Sequence, residues 1–370
     1  MKINKNIIAY GKHKIFKEDI ESVIKILNSS FLTTGPTVEI FEKKISKFVN
    51  SKFAVAVNSA TSALHIACKA LQLSKGDYLW TSPNSFVASA NCGLYCEAKI
   101  DFIDIELQNY NMDLNKLEEK LIKAKKTNKL PKIIVPVSYS GHSIDMKKLK
   151  SLSNIYKFKI LEDASHSLGG AYLDKRIGGC KYSDITVFSF HPVKMITTGE
   201  GGIATSNNKS LSDKMKIFRS HGIIRDKKLF KSKNNNPTHY EQHELGFNYR
   251  LTDIQASLGI SQLKRINLFL RERRKIKKYY DKNLKSYPLI LPCENKYAKS
   301  SWHLYTVLID NKKTIKNKNQ FLEYLRKHNI FLNTHYIPIH THPYYAKMGF
   351  KKTDFKNSVF FYNNAISLPI

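Results

Sequence analysis

The sequence predicts an α/β protein: a large domain built on a mostly parallel sheet flanked by helices, then a small α+β C-terminal domain. Three observations predict it. Short apolar runs alternate with amphipathic stretches over the first two-thirds of the chain, at the roughly 20–30-residue spacing of strand–helix units in a parallel sheet. Several of those runs are apolar throughout, as strands covered on both faces must be. The C-terminal part breaks the rhythm, offering one strand, one helix and a loop after a long helical stretch.

Taken in order, "FAVAV" (53–57) reads as a buried strand and "NSATSALHIACKAL" as a turn entering a helix. "DYLWTS" and "KIDFIDI" are further strands, separated by the helical "SFVASANCGLYC". "KIIVPV" (132–137) follows, then the helical "DMKKLKSLSNIY" and the strand "FKILEDAS" (158–165). "SDITVFSF" and "GGIATSN" are strands with only a loop between them. The Lys- and Asn-rich 226–236 is an exposed loop. From 252 a single long helix with a bend near Asn267 is expected, which divides the chain into 1–251, the large domain with an N-terminal segment, and 252–370, the linking helix and small domain. There "HLYTVLID" is a strand, "NQFLEYLRKHNI" a helix and "NTHYIPIHTHPYY" a loop that closes over a ligand.

The net charge of +31 invites a nucleic-acid reading, but only nine of the 61 basic residues are arginine, the side chain on which base readout leans most. The lysines are scattered among Asn and Ile, so solvated faces explain them, and no nucleic-acid partner is expected. A positive field still favours a phosphate-bearing small molecule. No apolar run approaches the roughly 20 residues of a membrane helix, so no membrane partner is expected. The N-terminus lacks the apolar core of a signal peptide, and the five cysteines form no framework, which points to the cytoplasm. No metal is expected: Cys92 and Cys96 lack two further ligands, and His335, His340 and His342 match no common zinc spacing.

Ligands of open parallel sheets lie beyond the carboxyl ends of the strands. Three groups fall there: Asn58–Ser62, Asp163–His166 and Ser189–Lys194. "NSATSAL" places small residues and hydroxyls at a helix start, suited to a phosphate or to simple capping by Ser59 or Thr61. Asp163 at a strand tip needs a hydrogen-bonding or cationic partner; it is either a structural cap or the holder of a protonated cofactor nitrogen. His166 would lie beside it if a helix starts there. Lys194 follows a strand and a proline, where a partly buried amine loses its proton more easily and becomes a nucleophile. "TTGEGG" beyond it lacks the GK[ST] of a nucleotide-triphosphate loop.

Six stretches in order, "LTTGP" (32–36), "NSATSALH" (58–65), "EDASHSLG" (162–169), "VFSFHPVKMITTGEGG" (187–202), "SHGI" (220–223) and "FNYRLTDIQASLG" (247–259), resemble the DegT-type sugar-nucleotide aminotransferases, enzymes of the pyridoxal 5'-phosphate (PLP) fold type I, like aspartate aminotransferase. The resemblance runs from about residue 8 to the end. "SFVASAN" and "HYIPIHTHPYY" add a likeness to the branch that serves pseudaminic acid biosynthesis. It implies that Lys194 is the Schiff-base lysine and that Asp163 pairs with the cofactor's ring nitrogen. It further implies that His166 contacts the ring's phenolic oxygen and Phe86 stacks on the ring. Ala60, Thr61, Ser189 and a second subunit's Asn248 would hold the phosphate, which requires a homodimer with shared active sites. Ala60, Ser189 and Asn248 also fall in the implied substrate set, with Tyr10, Ser30, Phe31, Leu32, Thr33, Asn333, Thr334, His335 and Tyr336. The implied reaction moves the amino group of L-glutamate to C4 of a UDP-linked 4-keto-6-deoxy-N-acetylhexosamine. A bacillosamine-type UDP sugar or a dTDP sugar is the alternative substrate, and a non-catalytic regulator the alternative role. Family members with histidine at the lysine position are dehydratases, so Lys194 favours aminotransfer. Two departures stand out: relatives continue beyond "ISLPI", as if this chain were cut short, and 226–236 fits the family poorly.

Overall fold

The computed structural model describes residues 7–233, 236–315 and 317–370. Its centre is a seven-stranded sheet of β1 (Phe53–Val57), β2 (Tyr78–Thr81), β3 (Lys99–Phe102), β4 (Ile133–Val135), β5 (Lys159–Asp163), β6 (Ile185–Ser189) and β7 (Gly202–Ser206). The spatial order is β1-β7-β6-β5-β4-β2-β3. All pairs are parallel except the two made by β7, which runs antiparallel to both β1 and β6. The two strands expected to be joined by only a loop are therefore β6 and β7, and their tight connection is what reverses β7.

Helices cover both faces: α1 (Lys17–Leu27), α2 (Pro36–Val49), α3 (Ala60–Ala70), α4 (Ala88–Leu94), α5 (Leu114–Lys126), α6 (Met146–Tyr156), α7 (Lys209–Arg219), α8 (Asp253–Leu263) and α9 (Ile266–Asn283). The strands' period of two divides their side chains between two cores. Val55, Val57, Val187 and Ala204 pack with Leu64 and Ala67 of α3 and Met215 of α7. Ala54, Ala56, Phe188 and Ile203 pack on the other face with Phe41 of α2, Ala256 of α8 and Leu270 of α9. A third core joins Trp80, Ile134 and Ile160 to α5 and α6. Helix starts follow polar caps: Ser59 Oγ accepts from the Ser62 N–H at 3.0 Å, and Thr252 with Gln255 forms a capping box.

The long helix expected from 252 is two helices, broken at Lys264–Arg265, two residues before the expected bend. The break serves a buried polar knot. Arg265 Nη1 lies 3.1 Å from Oδ1 of Asp19, which is fully buried, and Gln262 Nε2 donates to the same carboxylate at 2.5 Å. The C-terminal unit holds a small antiparallel sheet, β8 (Leu289–Ile290), β9 (Tyr305–Ile309) and β10 (Ala365–Leu368), with α10 (Lys318–Lys327) and α11 (Lys356–Asn364). Ile8–Ala9 pairs with Ile330–Phe331, so the start of the chain is stitched into this unit. Of the 226–236 loop, 234 and 235 lie outside the described residues; the rest is exposed, with one short turn at Lys227–Leu229.

Two of the motifs have a shared structural cause. Asp253, fully buried at the start of α8, accepts from the N–H groups of Gly35 and Thr37, each at 2.8 Å, and so caps α2 from a position more than 200 residues away. Asp253→Ala is expected to cost about 2–3 kcal/mol, because it strips two charge-assisted bonds from buried donors, and the denaturant midpoint measures it.

Candidate active site

The ends of β1, β5 and β6 open on one cavity of about 550 Å³. Ala60 and Thr61, Asp163 and His166, and Ser189 and Lys194 all line it, so the three groups do converge on one sheet edge.

Gly202 sets how closely they converge. A Cβ there would lie 2.5 Å from Ala60 N and from the Ser59 carbonyl, so only glycine lets β7 run against the start of α3. At that start Ser59 Oγ and Ser59 C=O take the N–H groups of Ser62 and Ala63. The N–H groups of Ala60 and Thr61 precede the first intrahelical acceptor, and both residues line the cavity with Ser189, an arrangement suited to an anion.

Asp163 is the last residue of β5 and is buried. Its Oδ1 accepts from the Ser165 N–H at 3.1 Å and from Ser165 Oγ at 2.6 Å. Its Oδ2 accepts from Ser89 Oγ at 2.6 Å, and Ser89 is held in turn by Ser85 Oγ at 2.7 Å. Three donors fix the carboxylate, yet it still borders the cavity. Such a group is an acceptor waiting for a cation.

Lys194 sits in the turn after β6, its N–H bonded to His191 C=O at 2.9 Å. Its side chain lines the cavity. Burial pulls its amine down to about 8 from the usual 10.5, while attraction to Asp163 works the other way. Gly199, at φ +79°, and the Thr198 N–H on Phe190 C=O close the loop and return the chain to β7.

His166 is not at a helix start; turns fill 164–170. Its Nδ1 accepts from the Ser140 N–H at 3.2 Å, which leaves the proton on Nε2, 2.9 Å from the Tyr336 hydroxyl. Burial, with Lys194 and His335 nearby, holds this imidazole neutral, well below its usual value. Phe86, with its ring largely exposed, lines the cavity, and Tyr10, Asn333, Thr334 and the buried His335 line it too.

Ser30, Phe31, Leu32, Thr33 and Asn248 are not brought in. Phe31 and Leu32 are half-exposed outside the cavity, Thr33 pairs with Thr252, and the Asn248 backbone bridges to Ser220. Sequence reading missed Ser85, Ser89, Ser165 and His303, which reach the site through folding. Only "SFVASAN" carried a signal for the serines, since Ser85 and Ser89 are one helical turn apart. Cys68 and His65 come to Cys92 and Cys96, but no described group of His, Cys, Asp or Glu could hold a metal ion; His340 is in an aromatic core with Phe102 and Phe355.

Residues 13–370 match the model of the DegT/DnrJ/EryC1/StrS aminotransferase family. The chain belongs to that family. It is 37% identical over 364 residues to a Campylobacter jejuni UDP-4-amino-4,6-dideoxy-N-acetyl-beta-L-altrosamine transaminase, covering 98% of this chain and 92% of that one. It is 35% identical over 368 residues to the Bacillus subtilis spore coat polysaccharide biosynthesis protein SpsC, covering 99% and 92%. The solved structure of Helicobacter pylori PseC, an aminotransferase of pseudaminic acid biosynthesis, superposes with a TM-score of 0.89 at 35% identity, over 98% of this chain and 93% of that one. A sugar aminotransferase from Streptococcus pneumoniae, solved in a PLP form, superposes at 0.87 with 27% identity, covering 98% and 93%. This family member is thus a PLP-dependent sugar transaminase by class, on the fold type I architecture.

The residues present fit that cofactor: an anion cradle at α3, a buried acceptor at Asp163 and an amine of lowered basicity at Lys194 in one cavity. For the cofactor-free protein, competitive acylation of Lys194 should rise with a midpoint near pH 8, while exposed lysines follow near 10.4. Because the folded state releases this proton before the unfolded chain does, Lys194 should raise stability as pH climbs from about 8 to 10.4, an increment absent in Lys194→Met.

Proposed function

We propose that this transaminase moves the amino group of L-glutamate to C4 of a UDP-linked 4-keto-6-deoxy-N-acetylhexosamine. The pairing of Lys194 with Asp163 in one cavity carries the aminotransfer, and the names of the C. jejuni and H. pylori relatives support the sugar. Bound PLP supplies an electron sink through its ring. Asp163 would keep the ring nitrogen protonated, and Ala60, Thr61 and Ser189 would take the phosphate. His166 and Phe86 would flank the ring.

Lys194 Nζ then has two tasks. It takes the proton from the amino-bearing carbon of the donor, which its lowered basicity permits near neutral pH, and it delivers a proton to C4 of the sugar. Tyr10 and Asn333–Tyr336, on the C-terminal side of the cavity, would bind and orient the sugar.

Ser30–Thr33 and Asn248 lie outside their own chain's cavity, which supports a homodimer in which one protomer completes the other's site. Phe31 and Leu32, with Ile20, Ile24 and Leu27 of α1, expose apolar surface suited to that contact. No described helix is long and apolar enough to cross a membrane, and we place the enzyme in the cytoplasm, where nucleotide sugars are at hand.

The test is turnover of a panel of UDP- and dTDP-linked 4-keto sugars with glutamate, with the C4 stereochemistry of the product determined. Purified protein supplied with PLP should show a visible band that borohydride removes and that Lys194→Ala lacks. Asp163→Ala should lower kcat at least about a hundredfold while the phosphate site is intact. A protein that takes up no PLP, or that aminates only dTDP sugars, would refute the reading.

A further inference from the structure

Among the cavity's polar side chains, His303 is buried and the proposed function gives it no work. It is 4% exposed, and its Nδ1 is buried with no hydrogen-bond partner. Its backbone, by contrast, is pinned on both sides. The His303 N–H donates to Ser140 C=O at 3.0 Å, and its C=O accepts from Arg273 Nη1 at 3.0 Å. Ser301, two residues earlier, donates through Oγ to His166 C=O at 2.7 Å. The strand that leads into β9 is thus docked rigidly on the large domain, and it delivers an imidazole whose own needs are unmet. A buried unpaired polar group is costly, so a position this well determined calls for a partner.

The chemistry of transamination says which partner. The carbon from which Lys194 takes a proton carries the donor's carboxylate directly, so whatever binds that carboxylate must sit next to Lys194. Three histidines surround the lysine. His166 has both nitrogens engaged, by the Ser140 N–H and the Tyr336 hydroxyl. His335 has Nδ1 engaged by Ser367 Oγ at 2.9 Å. His303 alone has neither nitrogen engaged among the described residues, and its ring lies 4.4 Å from that of His166. The nearby charges are those of Lys194 and Arg273, both cationic when protonated, which suits an anion rather than a sugar hydroxyl.

We propose that His303 binds the α-carboxylate of the amino donor, through an imidazole N–H facing the cavity. This rests on the transaminase reading and assigns donor recognition to a residue apart from the sugar-side loop Asn333–Tyr336. His303 would act in the donor half of the reaction and stand aside in the sugar half, since the sugar carries no carboxylate on its reacting carbon.

The experiment uses the PLP-loaded enzyme and two readouts. The first is titration with 2-methylglutamate, a donor analogue without the hydrogen that Lys194 removes, followed by the shift of the visible band. The second compares KM for glutamate with kcat/KM for the accepted keto sugar. His303→Leu should weaken 2-methylglutamate and raise the glutamate KM by roughly tenfold to a hundredfold, the worth of a bond to a charged group. The sugar kcat/KM should change less than about threefold, and His303→Gln, which restores an N–H, should recover part of the loss. Equal affinity of His303→Leu and wild type for 2-methylglutamate would overturn the assignment. So would equal losses for donor and sugar, or a His303→Gln protein as weak as His303→Leu. If wild type binds 2-methylglutamate but aminates no keto sugar, the sugar reading fails while the titration still decides the role of His303.

Discussion

The site depends on holding the Asp163 carboxyl group in the interior. A buried carboxyl group needs donors for its lone pairs, and here Ser165 supplies Oδ1 and Ser89 supplies Oδ2. Each donor commits part of the fold. Ser165 fixes the turn beyond β5, and Ser89 fixes α4 through its place in the first turn of that helix. Ser85, one turn earlier, fixes Ser89. The edge of the carboxylate left open faces the cavity, where Lys194 is coupled to it electrostatically.

The second constraint is steric. The antiparallel β7 passes between β1 and β6 and must approach the first residues of α3 without a side chain, which Gly202 permits. That approach carries the helix start, with its two free N–H groups, towards the end of β6. Ser189 ends that strand and Lys194 follows it, so the start of α3 and the Lys194 amine meet across β7 from the non-adjacent strands β1 and β6. The loop 190–201 joins β6 to its antiparallel neighbour β7, with Gly199 and Gly201 at its end.

One seam of polar contacts between the C-terminal unit and the large domain sets Ser140–Gly141 against Ser300–Leu304. Gly141, at φ +91°, leaves room for Ser301 Oγ, which would otherwise meet its Cβ at 2.1 Å. The seam positions His303 and His166 as neighbours and brings Tyr336 onto His166. His303 and Asn333–Tyr336 are therefore mounted on one unit, while Asp163, His166 and Lys194 are mounted on the other.

Local pattern alone determined much of this protein. Apolar runs located all seven strands of the sheet, because strands covered on both faces must be apolar, and the small and hydroxyl residues of 58–62 located the start of α3. Asp163 stood out because it ends a buried strand, and Lys194 because it follows one beyond a proline, where a charged side chain needs a reason. What the tertiary structure decided were matters of distance between remote residues. The helix from 252 breaks because a buried carboxylate at Asp19 draws in Gln262 and Arg265. His166 is oriented by Ser140 and Tyr336 rather than by a helix start, and Ser30–Thr33 and Asn248 lie outside their own chain's cavity. His303 left no mark in the sequence beyond a histidine before a strand. Its meaning comes from pinned backbone and unpaired nitrogens, and satisfaction of hydrogen bonds is a property of packed neighbours that no single stretch of chain contains.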